Sequence, residues 1–103
     1  GGGSFVAAQA VVAPDARLGL GVIVNHGAVV DHDCCIGDFA HIAPGAVLGG
    51  EVRIGPGVLV GAGAVVLPGR SIAAGAIVGA GAVVRDNIDS PGTWVGVPAR
   101  RIA

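Results

Sequence analysis

Val60-Gly61-Ala62-Gly63-Ala64-Val65-Val66 recurs letter for letter as Val78-Gly79-Ala80-Gly81-Ala82-Val83-Val84, eighteen residues later. The recurrence points to a repeat, and stepping by six from Val6 exposes its unit. Val6, Val12, Leu18, Val24, Val30, Ile36, Ile42, Leu48, Ile54, Val60, Val66, Ile72, Val78 and Val84 are all aliphatic. Val, Ile and Leu make up 31 of the 103 residues. Chance would give such an unbroken series with a probability of about 10⁻⁷.

The rest of each hexad fits a short strand followed by a sharp corner. With the aliphatic residue at position i, glycine occupies i+3 in eight of the hexads, and Pro14, Pro44, Pro56 and Pro68 all stand at i+2. Proline presets φ near −65° and glycine then permits a positive φ, as a type II turn requires. Position i+4 is mostly small, as at Ala28, Cys34, Ala46 and Ala64. By period-two alternation it points inward with i, leaving i+5 and i+1 outward. Three hexads per coil close a triangular turn, and coils stacked by hydrogen bonds make a solenoid. The expectation is therefore an all-β parallel β-helix of between four and five coils over residues 5–89. Residues 1–4, Gly-Gly-Gly-Ser, read as a linker or fusion scar, and residues 90–103 as a C-terminal tail.

Stacking by eighteen assigns the outer faces. One carries Val11, Val29, Val47, Val65 and Val83; the next carries Arg17, Cys35, Arg53, Ser71 and Asp89; the third carries Phe5, Ile23, His41, Leu59 and Ile77. Two apolar faces on one prism are too much exposed hydrocarbon for a lone chain and suit a cyclic homotrimer, in which each copy touches two others.

Composition excludes several classes. Hydrophobic residues are 52% and charged residues 13%, but Gly and Pro interrupt every apolar run, so no membrane-spanning helix is expected. A net charge of −1 offers no basic field for nucleic acid or an anionic membrane. Cys34 and Cys35 are adjacent and imply no disulfide framework, which fits a cytoplasmic location.

The chemistry is carried by histidines. His32 sits at an i+2 corner within Asp31-His32-Asp33, between the valine face and the polar face; His41 points outward from the third face. The body of one prism separates them, so a shared site requires His32 of one copy and His41 of the next. His26 stands at another corner, in line with Pro44, Ala62 and Ala80. Phe39 occupies an i+3 position, where a bulky residue with positive φ is strained, so that corner is expected to depart from the standard turn. The three histidines fall on two different corners and a face, and no metal is expected.

Asn25, Asp31-His32-Asp33-Cys34, Ile36-Gly37-Asp38-Phe39-Ala40-His41 and the tail Val95-Gly96-Val97-Pro98-Ala99-Arg100, set among uninterrupted hexads, resemble the sugar O- and N-acetyltransferases of the hexapeptide-repeat superfamily, the sialic acid O-acetyltransferase type. The resemblance covers nearly the whole chain after residue 4 and implies left-handed winding. It further implies an acetyl-CoA-dependent transfer to an amino or hydroxyl group of a nucleotide-linked sugar. By it, His32 is the general base, oriented by Asp33, where the family more often carries Glu. Asn25, His41, backbone groups around Ala62 and Ala80, and Arg100 would bind the acetyl-CoA co-substrate. The family usually places a small α/β domain, which binds the sugar nucleotide, ahead of the helix, and nothing in the sequence corresponds to it. The alternative reading is a truncated or engineered trimeric β-helix scaffold without catalytic activity.

Overall fold

A computed structural model describes residues 2–103. Fourteen two-residue strands follow one another at six-residue intervals, each ending on the aliphatic residue of its hexad. They form three parallel sheets. The first stacks β1 (Phe5–Val6), β4 (Ile23–Val24), β7 (His41–Ile42), β10 (Leu59–Val60) and β13 (Ile77–Val78). The valine sheet stacks β2 (Val11–Val12), β5 (Val29–Val30), β8 (Val47–Leu48), β11 (Val65–Val66) and β14 (Val83–Val84). The polar sheet stacks β3 (Arg17–Leu18), β6 (Cys35–Ile36), β9 (Arg53–Ile54) and β12 (Ser71–Ile72). Partners are eighteen residues apart throughout, as in Ile23 with His41 and Val29 with Val47. The chain is a left-handed parallel β-helix.

The corners make this register possible. Each i+3 residue from Gly3 to Gly81 has positive φ: nine glycines, and Gln9, Asp15, Asp33, Phe39 and Glu51. Around them the i+4 amide donates to the i+1 carbonyl, as from Ala28 to Asn25 at 3.1 Å and from Ala64 to Gly61 at 3.1 Å. Neighbouring coils are joined by similar bonds, including Val29 N–H to the Ala46 carbonyl at 2.8 Å. Phe39 corrects the expectation from sequence: at φ 60° its corner does not depart from the others. Its ring lies against Gly21, one coil below, where a Cβ would come within 2.6 Å of the ring. Gly21 provides the room that lets a phenylalanine occupy a glycine position.

Inside the prism the i and i+4 side chains form one core running from Val22 to Ile88, with Ile42 and Leu48 among its largest fully buried members. Gly2 and Gly3, within the stretch read as a linker, already form a corner of this pattern, since Gly3 has φ 70° and Gly21 N–H donates to the Gly2 carbonyl at 3.2 Å. Gly1 lies outside the described residues. At the other end the expected polar ladder stops at Ser71. Asp89 does not stack on it, because Ile88 pairs with Ile72, an offset two residues short of a full coil. The Asn87 side chain instead accepts from Ser71 N–H at 2.9 Å. Residues 90–103 then fold back as β15 (Thr93–Val95), parallel to β13, and β16 (Arg100–Arg101), antiparallel to β15. Trp94 and Ala99 pack against the end of the core.

Replacing Gly63 isolates the cost of the corner, since φ is 67° and nothing lies within 4 Å of an added Cβ. Gly63→Val is expected to lose about 1–2 kcal/mol from left-handed strain alone. Ala62→Val, in the same turn but outside the positive-φ positions, should change stability by less than about 0.5 kcal/mol. Denaturant titration at fixed protein concentration compares the two.

Candidate functional site

Strand β5 of the valine sheet is bounded by two polar corners. At its entry Asn25 Oδ1 accepts from His26 N–H at 2.8 Å; at its exit Asp31 Oδ1 accepts from His32 N–H at 2.7 Å. In each case a short polar side chain satisfies the amide that the turn leaves unpaired, and so fixes the histidine at the apex. The imidazoles themselves stay exposed.

At the exit corner His32 Nδ1 lies 3.1 Å from Asp33 Oδ2. Asp33 is an i+3 residue with φ 57°, and this left-handed backbone carries its carboxylate alongside the ring, so the short side chain reaches. The hydrogen bond to Asp33 raises the His32 pKa above the ordinary 6.5; desolvation opposes it, and the negative field of Asp31, Asp33 and Glu51 adds to the rise. The ring lies over Gly50, one coil above, and covers it. Sequence reasoning passes over Gly50, although its signal is present: between Ala8 and Ala80 no other i+2 residue is glycine.

At the entry corner Asn25 Nδ2 and His41 Nε2 are 3.3 Å apart. His41 leaves β7 and leans toward the edge that the first sheet shares with the valine sheet. Above this pair, Ala62 and Ala80 occupy the same corner in later coils, exposed, and their amides donate no hydrogen bond among the described residues. Gly81 N–H donates to the Ala62 carbonyl at 2.9 Å. Arg100 lies on β16, four strands beyond β7 in the same sheet, exposed. At strand spacing that is about 19 Å from His41.

The sequence-predicted residues thus fall into two groups within one chain. His32 and Asp33 are together at the exit edge of the valine sheet; Asn25, His41, Ala62, Ala80 and Arg100 form a track at and above its entry edge. No hydrogen bond joins the groups. Cys34 is part of the core, its Sγ donating to the Gly49 carbonyl at 3.2 Å, and burial pushes its thiol pKa up.

Residues 51–86 match the family described as bacterial transferase hexapeptide (six repeats). Among solved structures, the chain is similar to the acetyltransferase domain of PglB from Neisseria gonorrhoeae FA1090 in complex with acetyl coenzyme A. Identity is 39% over 97% of this chain and 52% of that one, with a TM-score of 0.91. The chain belongs to the hexapeptide-repeat acyltransferase superfamily. Two further relatives differ in their named activities. PerB from Caulobacter crescentus, in complex with CoA and GDP-perosamine, is 38% identical over 96% of this chain and 58% of that one, with a TM-score of 0.83. The serine acetyltransferase CysE from Neisseria gonorrhoeae is 36% identical over 90% of this chain and 41% of that one, with a TM-score of 0.84. The chain spans about half the length of these relatives.

Because the His32 pKa is raised on folding, its contact with Asp33 favours the folded protein below pH 6.5, and that contribution fades as pH rises through the folded value. The exposed ring makes the stability effect small, so direct titration is the better reading. Histidine NMR should place the His32 midpoint above the ordinary value, and Asp33→Asn should lower it. A midpoint unmoved by Asp33→Asn would mean that the hydrogen bond does not set it.

Proposed function

We propose that this chain is the acetyl-CoA-binding and catalytic β-helix of a sugar acetyltransferase, working as a homotrimer with its sites between copies. The observation that carries this reading is that the two polar groups stand on opposite edges of one apolar sheet, at nearly the same height. Asn25 and His32 are seven residues apart in an eighteen-residue coil, which is about 2 Å of rise at strand spacing. If three valine sheets face a common axis, a pure rotation keeps heights constant, and the His32 corner of one copy meets the Asn25–His41 edge of the next. The valine ladder supports this, with Val11 exposed and the valines above it half-buried in the single chain.

In that groove acetyl-CoA follows the track at the entry edge: the thioester beside Asn25 and His41, the pantetheine arm on the free amides of Ala62 and Ala80, and the phosphates toward Arg100. His32 takes a proton from the acceptor's amine or hydroxyl as its lone pair attacks the thioester carbonyl. Asp33 holds Nδ1–H and stabilises the imidazolium. The tetrahedral intermediate, its oxyanion held by backbone donors, collapses with cleavage of the C–S bond, and the CoA thiolate takes the proton back from the His32 imidazolium and leaves as the thiol. The acceptor is a sugar amine or alcohol, by analogy with PerB and its GDP-perosamine, and a cytoplasmic location fits this use of acetyl-CoA.

Calorimetric titration of acetyl-CoA, with the solution mass measured alongside, tests the reading. A trimer binding three equivalents is expected; a trimer that binds none would leave a structural β-helix and refute it. His41→Ala and Asn25→Ala should weaken binding, whereas His32→Ala should leave affinity intact. In the longer enzyme, His32→Ala should cost about 10²–10⁴-fold in transfer.

A further inference from the structure

We propose that Gly50 is a positioning residue for His32: the side chain it lacks leaves the seat in which the imidazole lies. Position i+2 is the first central residue of each corner turn and does not require a glycine. Gly50 is outside the positive-φ residues, and the other corners between Ala8 and Ala80 carry Ala, Pro, Leu, His or Asp at this position. What distinguishes Gly50 is its neighbour. It stands eighteen residues after His32, at the same corner one coil up, and the two corners are joined by Glu51 N–H donating to the His32 carbonyl at 2.9 Å. A Cβ on Gly50 would fall 2.6 Å from His32 Cε1 and closer still to Nε2, well inside carbon contact distance.

Two restraints therefore set the ring. Asp33 holds Nδ1 at 3.1 Å, and the bare backbone of Gly50 supports one face of the ring, against Nε2, Cε1 and Cδ2. Gly50 is buried beneath the imidazole, while 56% of the His32 side chain is open to solvent. The free side is where an acceptor must approach. Any side chain at residue 50 lifts the ring off this seat and away from Asp33, while the backbone, which accepts alanine at other i+2 corners, is undisturbed. A similar contact occurs at Phe39, whose ring lies against Gly21 one coil below.

This inference rests on the reading of His32 as the base, and its test has a readout independent of turnover. In Gly50→Ala, histidine NMR of the acetyl-CoA-binding trimer should show the His32 midpoint falling toward that of an unpaired histidine. Melting temperature and acetyl-CoA affinity should be unchanged, and transfer by the longer enzyme should fall about 10²-fold, as expected for a displaced catalytic group. A His32 titration identical to the parent's would overturn the inference. If Gly50→Ala also lowers the melting temperature, the same substitution is made in His32→Ala; a loss that persists without the imidazole makes Gly50 a backbone requirement and also overturns it. Turnover unaffected by His32→Ala would instead refute the reading of His32 as the base, which the titration does not depend on.

Discussion

The structure depends on one backbone constraint: a left-handed residue every six positions. It turns a two-residue strand sharply enough that three strands close a triangle, and it does so in each of the fourteen corners from Gly3 to Gly81. Closing the triangle at a fixed length brings every strand over the one eighteen residues earlier, so backbone donors meet acceptors in the next coil without helices or long loops. The core follows from the same geometry, because only i and i+4 point inward and the interior admits little beyond Val, Ile, Leu and Ala. Residue types with chemistry are thereby confined to the outer positions of the strands and to the corners.

That confinement explains the form of the candidate site. A corner exposes its apex, and the side chain before it can satisfy the turn's free amide, as Asn25 and Asp31 do. A histidine placed at such an apex is held by its backbone yet open on one side. Corners of successive coils are about 4.8 Å apart, so what stands above or below an apex matters as much as what flanks it in sequence. Gly50 above His32 and Gly21 below Phe39 are instances. A single prism cannot bring its own corners together; the reading of a site between copies follows from that rigidity.

The periodic part of this protein was legible in its sequence. Strand ends, register, the inward positions and most of the composition of the faces follow from the hexads, because each depends on a six-residue period sustained over fourteen strands. Legibility fails where the period does. Phe39 takes the glycine conformation as Gln9, Asp15, Asp33 and Glu51 do, and a glycine eighteen residues away makes room for its ring, a relation that local propensity does not contain. Asp89 misses its ladder because Arg85-Asp86-Asn87 form no left-handed corner and the last coil runs short. The folding back of residues 93–101 onto the first sheet has no hexad signal at all. As for the site, spacing and residue type singled out His32, Asp33, Asn25 and His41, but not which of them touch: the pairing of Asn25 with His41 depends on the lean of one side chain across two coils.

The central claim is that the His32 corner of one copy and the Asn25–His41 edge of the next enclose one acetyl-CoA. A crystal structure of the chain with acetyl-CoA tests it most directly. The account predicts a trimer with the valine sheets at its axis and the thioester lying between His32 of one copy and His41 of its neighbour. A thioester held by residues of a single copy, or an assembly in which His32 faces away from the bound acetyl group, would contradict it.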